Sequence, residues 1–347
     1  MKKRVVVAMS GGVDSTLVAR LLQEAGYEVC GATMRVFPEQ DVADAAAMAA
    51  FLEIPHKVLD VMEPFREIVL KNFIDSYAAG VTPNPCMICD LHIKFGLFYE
   101  TMRREFDADY FATGHYARIV YDEARGRYEV RKGLDLKKDQ SYMMYHLTQE
   151  QLAHILFPLG RTEKTATREM AEARGLPVAH KAESQDICFL AGERSYVAYL
   201  EKRVPEIFRA GDITDRNGKV LGRHQGLVRY TIGQRKGLGI ASPVPLYVTA
   251  LDAKTNRVIV GENQDLFQTE LWADRLDFPD GEAPGQTFSC EAKIRYGART
   301  ESCRAELSED GRAKVIFAAP QRAVTPGQSV VFYDGDRLIG GGTILGR

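Results

Sequence analysis

Long apolar runs are missing from the 347-residue chain, and none approaches the roughly 18 residues that a membrane-spanning helix needs. The N-terminus, MKKRVVVAMSGG, starts like a secretory signal. It then enters a glycine loop with no apolar segment of useful length and no cleavage site. A cytosolic protein is expected. Excess charge of one sign is also missing. The 45 basic and 47 acidic residues leave a formal net charge of -2, so charge alone names no partner. Cysteine is sparse. Six residues, Cys30, Cys86, Cys89, Cys188, Cys290 and Cys303, are too few and too scattered for a disulfide scaffold in a chain this size. Disorder and low complexity are excluded by a composition that is 45% hydrophobic and 27% charged. At roughly 100–200 residues per domain, the length implies two or three domains.

What is present reads first as α/β. Residues 4–9, RVVVAM, form a short β-branched apolar run of the kind buried in a parallel sheet. Ser15–Ala25 carry apolar residues at helical spacing, with Gly26 placed as a C-cap. The pattern predicts a strand at 28–34, a helix at 41–53, a strand at 56–60, a helix near 64–79 and a strand at 110–113 leading into Gly114-His115. Alternating strands and helices imply a doubly wound parallel sheet with its site at the strands' C-terminal ends. Residues 151–203 have a helical pattern. Beyond Pro205, short alternating runs punctuated by Asn217-Gly218, Asp280-Gly281, Asp310-Gly311 and Asp334-Gly335 predict all-β structure, a small barrel.

Ser10-Gly-Gly-Val-Asp-Ser15 lies between the first strand and the first helix. Glycines there let the backbone approach an anion, and the helix N-terminus offers free N–H groups. Asp14 is unsuited to a bare phosphate and suited to a magnesium ion that neutralises pyrophosphate. The loop has neither Gly-Lys-Ser/Thr nor GxGxxG, which excludes a Walker A loop and a dinucleotide fingerprint. It resembles the PP-loop of ATP pyrophosphatases. A second constellation is Thr82-Pro-Asn-Pro-Cys86-Met-Ile-Cys89, where two prolines deny helix and present the thiols in a rigid loop. The third is Cys188, in Ser184-Gln-Asp-Ile-Cys-Phe189. A thiol or persulfide is a natural nucleophile toward an activated oxygen-bearing carbon. Cys30, Cys290 and Cys303 read as small buried hydrophobes.

These segments, with Gly114-His-Tyr-Ala-Arg118, Lys138-Asp-Gln-Ser-Tyr142 and Tyr230-Thr-Ile-Gly-Gln-Arg-Lys-Gly-Leu-Gly-Ile240, occur in one order along nearly the whole chain. Together they resemble the bacterial tRNA-specific 2-thiouridylase family. The resemblance implies a PP-loop domain over 1–200, a small tRNA-binding domain over 205–265 and a C-terminal β-barrel over 268–347. It implies ATP-dependent adenylation of the wobble uridine C2 oxygen in tRNAs for Lys, Glu and Gln, followed by sulfur transfer. It further implies that Ala8, Met9, Ser10, Gly11, Gly12, Val13, Asp14 and Ser15 hold ATP and Mg2+, with Met34 and Gly114 around the adenosine. Asn84, Pro85 and Cys86 would border the target base, with His115 beside it. Lys138, Asp139, Gln140, Arg295, Tyr296 and Gln328 would touch tRNA. Asp14, Cys89 and Cys188 would be catalytic, Cys188 as sulfur carrier and Cys89 as its resolving partner.

Two departures from the commoner family form stand out: Cys86 replaces an Asp, and the insertion after Met34 shrinks to Arg35–Asp41. Three cysteines open a second route, in which Cys86, Cys89 and Cys188 ligate a [4Fe–4S] cluster and the fourth iron binds sulfide. A zinc site lacks a fourth protein ligand, and a plain redox CxxC is the ordinary alternative. The sulfur source is a relay protein, another donor or free sulfide.

From Arg216 to Leu251 there is no acidic residue, while Arg216, Lys219, Arg223, Arg229, Arg235 and Lys236 fall inside. A solvated face is the ordinary reading. Tyr230 and several glycines interleaved with the bases favour phosphate-backbone contact, extended by Lys137, Lys138, Arg161, Lys164 and Arg168. A buried pocket would require the target base to flip out of its stack. The competing functions are a PP-loop synthetase or sulfurtransferase acting on a small molecule or another RNA position, and an RNA-binding protein without turnover.

Overall fold

The computed structural model describes residues 2–38, 40, 42–181 and 187–346. Ser184, Gln185 and Asp186 of the Cys188 motif, and Asp41 of the expected second helix, lie outside these described residues.

Strands β1 (Arg4–Ala8), β2 (Glu28–Arg35), β3 (His56–Asp60) and β4 (Tyr110–Ala112) belong to one parallel sheet. A hairpin of β5 (Ala117–Asp122) and β6 (Arg127–Lys132) follows, and β7 (Ile155–Leu156) completes the parallel sheet in the order β3-β2-β1-β4-β7. The β-branched run of β1 occupies the centre because Val5, Val6 and Val7 are fully buried. Alternation sends Val5 and Val7 to one face and Val6 to the other. On the first face they meet Leu17 and Leu22 of α1 (Val13–Glu24) and Ala45 and Met48 of α2 (Ala43–Phe51). On the second face Val6 meets Phe95, Phe98 and Phe111. Gly26 caps α1 at φ 88°, as its position predicted.

The helix after β3 runs over 62–78 and is labelled α3. The next one corrects the sequence reading. Residues 85–105 form a helix, α4, kinked at Gly96, and the cysteines of the TPNPCxxC segment sit within its first two turns. Pro85 occupies the first helical position, where its missing N–H costs nothing. Asn84 caps the end by accepting from the Met87 N–H at 3.3 Å. The prolines start this helix rather than forbid it. The stretch 151–203 is less helical than its pattern, with α5 (Lys164–Ala173) and α6 (Tyr196–Arg203) as its main helices.

The β half separates into two units. Strands β8 (Gly211–Thr214), β9 (Val220–His224), β10 (Tyr247–Asp252) and β11 (Arg257–Gly261) make a four-stranded sheet in the order β10-β11-β8-β9. Strands β12 (Phe267–Asp277), β13 (Thr287–Lys293), β14 (Glu301–Leu307), β15 (Ala313–Arg322), β16 (Ser329–Asp334) and β17 (Arg337–Ile344) form a barrel that β12–β17 pairing closes. The β5–β6 hairpin extends this barrel sheet through the pairing of Arg131 with Arg337. Tyr142 donates to the Ser329 carbonyl at 2.8 Å, so the barrel is bonded to the first domain.

Candidate active site between the phosphate loop and the cysteine helix

Strand β1 has β2 on one side and β4 on the other, so the loops after β1 and β4 diverge and leave a crevice between them. The phosphate loop and Gly114-His115 meet there. Gly11, at φ 71°, passes so close to Asp44 that a Cβ would lie 2.6 Å from that residue's own Cβ. A Cβ on Gly114 would lie 3.0 Å from Asp14 Cβ, so close approach explains both glycines. Ser15 is buried, and its hydroxyl accepts from the Ser10 N–H at 3.2 Å.

Lys164 Nζ donates to both Asp14 carboxylate oxygens at 2.7 Å, and Tyr116 Oη donates to Oδ1 at 3.1 Å. Lys181 Nζ donates to the Gly11 carbonyl at 3.0 Å and also pairs with Asp44. Two ammonium groups thus line a loop whose motif contains no lysine. Lys164, grouped by sequence with an RNA-facing patch, belongs instead to the phosphate site. Asp14 Oδ2 keeps one lone pair beyond Lys164, which fits a magnesium ion held by one carboxylate and by phosphate oxygens.

Across the crevice, Cys86, Asp90 and Lys94 recur every fourth residue along α4 and share a side of it. Lys94 forms an ion pair with Asp90, whose side chain is 4% exposed. Burial works against the Lys94 charge, but Asp90 and the neighbouring thiols outweigh it and hold the amine protonated. Lys94 Nζ lies 3.5 Å from His115 Nε2, and His115 Nδ1 lies 2.7 Å from Thr113 Oγ1. An ammonium can only donate, so Nε2 accepts and the ring proton sits on Nδ1, donating to Thr113. Burial first, then Lys94, keeps this ring neutral, well below its ordinary titration range.

The same cation acts electrostatically on all three thiols. Burial pushes Cys86 up to about 11 and raises Cys89 and Cys188, while Lys94 pulls all three back. Among the described residues, no three Cys, His, Asp or Glu side chains are placed to share a metal ion.

Other expected residues divide. Ala8 and Met34 flank one apolar cluster beside the crevice. Asn84 and Pro85 begin α4, with Cys86 exposed next to them. Lys138 is half-buried, and Arg295 and Tyr296 stand exposed on the barrel. Asp139 is buried instead, accepting from the Gly133 and Ser141 N–H groups at 3.0 Å and facing barrel Lys293 at 3.4 Å. Gln140 Oε1 accepts from the Tyr116 N–H at 2.9 Å. In this conformation both side chains bond to other parts of the protein. The acid-free stretch is half neutralised by acids from elsewhere: Arg216 pairs with Asp265, Arg223 with Asp212 and Arg229 with Glu201. Arg235 and Lys236 are exposed, with no ion pair among the described residues.

The sequence reading missed Asp90, Lys94 and Tyr116. The four-residue spacing of Cys86, Asp90 and Lys94 carried a signal, legible only once 85–105 is known to be helical.

Comparison with known proteins follows this layout. Residues 3–192 match the family described as tRNA methyl transferase HUP domain, 197–262 its PRC-barrel domain, and 268–344 the aminomethyltransferase beta-barrel domain. The chain is 47% identical to tRNA-specific 2-thiouridylase MnmA 1 of Caldanaerobacter subterraneus subsp. tengcongensis, covering 99% of this chain and 98% of that protein. It is 48% identical to the MnmA of Moorella thermoacetica, with 98% of each chain covered. The MnmA of Clostridioides difficile is 43% identical over 99% of this chain and 98% of its own.

Proposed function

The chain belongs to the tRNA-specific 2-thiouridylase family, and from that premise we propose how its crevice converts a wobble uridine to 2-thiouridine. The observation that carries the reading is the meeting of two half-sites: Gly114 packs on Asp14 of the phosphate loop, and adjacent His115 touches Lys94 among the thiols. An activating site and a sulfur site therefore face one flipped base.

The loop N–H groups, Lys164 and Lys181 bind the ATP phosphates, and Asp14 would hold a magnesium ion, which would screen their charge. The uridine C2 oxygen attacks the α-phosphorus; the bond to pyrophosphate breaks and a C2–O–AMP intermediate forms. The terminal sulfur of a Cys188 persulfide attacks C2, and AMP leaves with the C2 oxygen. Cys89 thiolate then attacks Cys188 Sγ, releasing 2-thiouridine and leaving a Cys89–Cys188 disulfide that a cellular dithiol reduces. Lys94 favours each thiolate in turn. Cys86, Asn84 and Pro85 border the base. Arg295, Tyr296 and the exposed Arg235 and Lys236 supply RNA contacts. The anticodon loops of tRNAs for Lys, Glu and Gln are the substrates, and a persulfide-bearing relay protein is the sulfur donor. We place the domains at 1–200, 205–265 and 268–347, supported by the three sheets. No helix among the described residues is long and apolar enough to cross a membrane, and we assign the protein to the cytoplasm.

The test is turnover of purified protein with ATP, an unmodified substrate tRNA and a persulfide donor. AMP, pyrophosphate and 2-thiouridine should appear in equal amounts. Pyrophosphate release that ignores tRNA would indicate a small-molecule synthetase. A second measurement separates the two sulfur routes. Cys86→Asp restores the commoner residue and should thiolate within about threefold of wild type with no bound iron, because thiolates rather than a carboxylate would hold a cluster. Iron in anaerobically purified wild type that falls, together with activity, in this variant would replace the persulfide route. Reversing Arg235 and Lys236 to Glu should weaken tRNA binding and flatten the log–log salt dependence by about two counterions. An unchanged slope would make this face merely solvated.

A further inference from the structure

The segment that opens onto Cys86 is held by the barrel. Pro83 and Pro85 have no N–H, so residues 82–85 cannot fix themselves by regular backbone pairing. Their carbonyls need donors from elsewhere. Gln328 supplies them: its side-chain Nε2 donates to the Thr82 carbonyl at 3.1 Å and the Pro83 carbonyl at 3.2 Å. The Thr82 N–H donates in turn to the Pro326 carbonyl at 3.1 Å. Between these bonds Gly327, at φ 88°, lies so close that a Cβ would fall 2.3 Å from Val81 Cγ1 and 2.7 Å from the Thr82 carbonyl oxygen.

The barrel side of this clamp is itself fixed. The Gly327 N–H donates to the Ile344 carbonyl at 2.9 Å, and the Ile344 N–H donates to the Gln328 carbonyl at 2.8 Å. Residues 326–328 are therefore tied to the end of β17, the strand that closes the barrel and pairs with the β5–β6 hairpin. The barrel that carries Arg295 and Tyr296 and the start of α4 that carries Cys86 are one mechanical unit.

Resting on the function proposed above, we propose that Gln328 is a positioning residue: its amide donor sets the Asn84-Pro85-Cys86 rim of the base pocket in register with RNA docked on the barrel. In this arrangement its amide donor is committed to the Thr82 and Pro83 carbonyls. Misplacing a reacting base by about 1 Å costs on the order of a hundredfold in rate while leaving remote binding contacts intact.

Wild-type thiolation serves as the control for the functional reading, and the variants test only the clamp. Gln328→Met keeps length and removes the donor. It should lower kcat at saturating tRNA about tenfold or more, with the tRNA Kd within about twofold of wild type. Gln328→Lys restores a donor and should recover most of kcat. Without RNA or ATP, the alkylation rate of Cys86 should change in the Met variant and return in the Lys variant. Gly327→Ala, which displaces the same segment sterically, should reproduce the kcat loss. A Gln328→Met enzyme with wild-type kcat and a proportionally weaker tRNA Kd would overturn the proposal and make Gln328 an RNA contact. Equal kcat losses in the Met and Lys variants would also overturn it.

Discussion

Replacing Asp14 by Ala should reduce tRNA-dependent pyrophosphate release by at least a hundredfold while leaving the tRNA Kd within about twofold. The carboxylate sits at the N-terminal turn of α1, clamped by both hydrogen bonds from Lys164 and by Tyr116. Removing it takes away the oxygen proposed to hold magnesium and the partner of Lys164, the amine proposed to bind the phosphates. Removing a single preorganised group that stabilises developing charge in an active site costs about 2.7–4 kcal/mol. The RNA contacts proposed above lie elsewhere, on the barrel and around Arg235, so affinity should survive. Pyrophosphate release by the variant within about tenfold of wild type would remove Asp14 from the chemistry.

The second large effect is expected at Lys94. Lys94→Gln leaves Asp90, a carboxylate with 4% of its side chain exposed, buried without its cation. Breaking a buried pair from one side costs about 3–5 kcal/mol, because the remaining charge stays desolvated. The variant should melt well below wild type and fail to thiolate. Asp90→Asn combined with Lys94→Gln removes the stranded charge and should recover most of the melting temperature. Thiolation should not return, because the cation that favours the Cys86, Cys89 and Cys188 thiolates is gone. Recovered thiolation in the stable double variant would show that Lys94 serves only the fold.

By itself the sequence determined the parallel sheet, the strand–loop–helix turn of SGGVDS and the family. Each is written in neighbouring residues: Val5–Val7 fill a buried strand, Gly11 meets a steric demand, and SGGVDS is one contiguous turn. It misread 85–89, because Pro85 breaks a helix from inside but starts one from the first position, and only the cap at Asn84 distinguishes the two cases. Tertiary structure decided what lay far apart in the chain. Lys164 reaches Asp14 across 150 residues. Acids outside the acid-free stretch neutralise half of its bases, and Gln328 holds the rim of the cysteine helix from the far end of the chain. Charge and hydrogen-bond pairing depend on distance in space, and the sequence records that distance only within a turn, a strand or a helix.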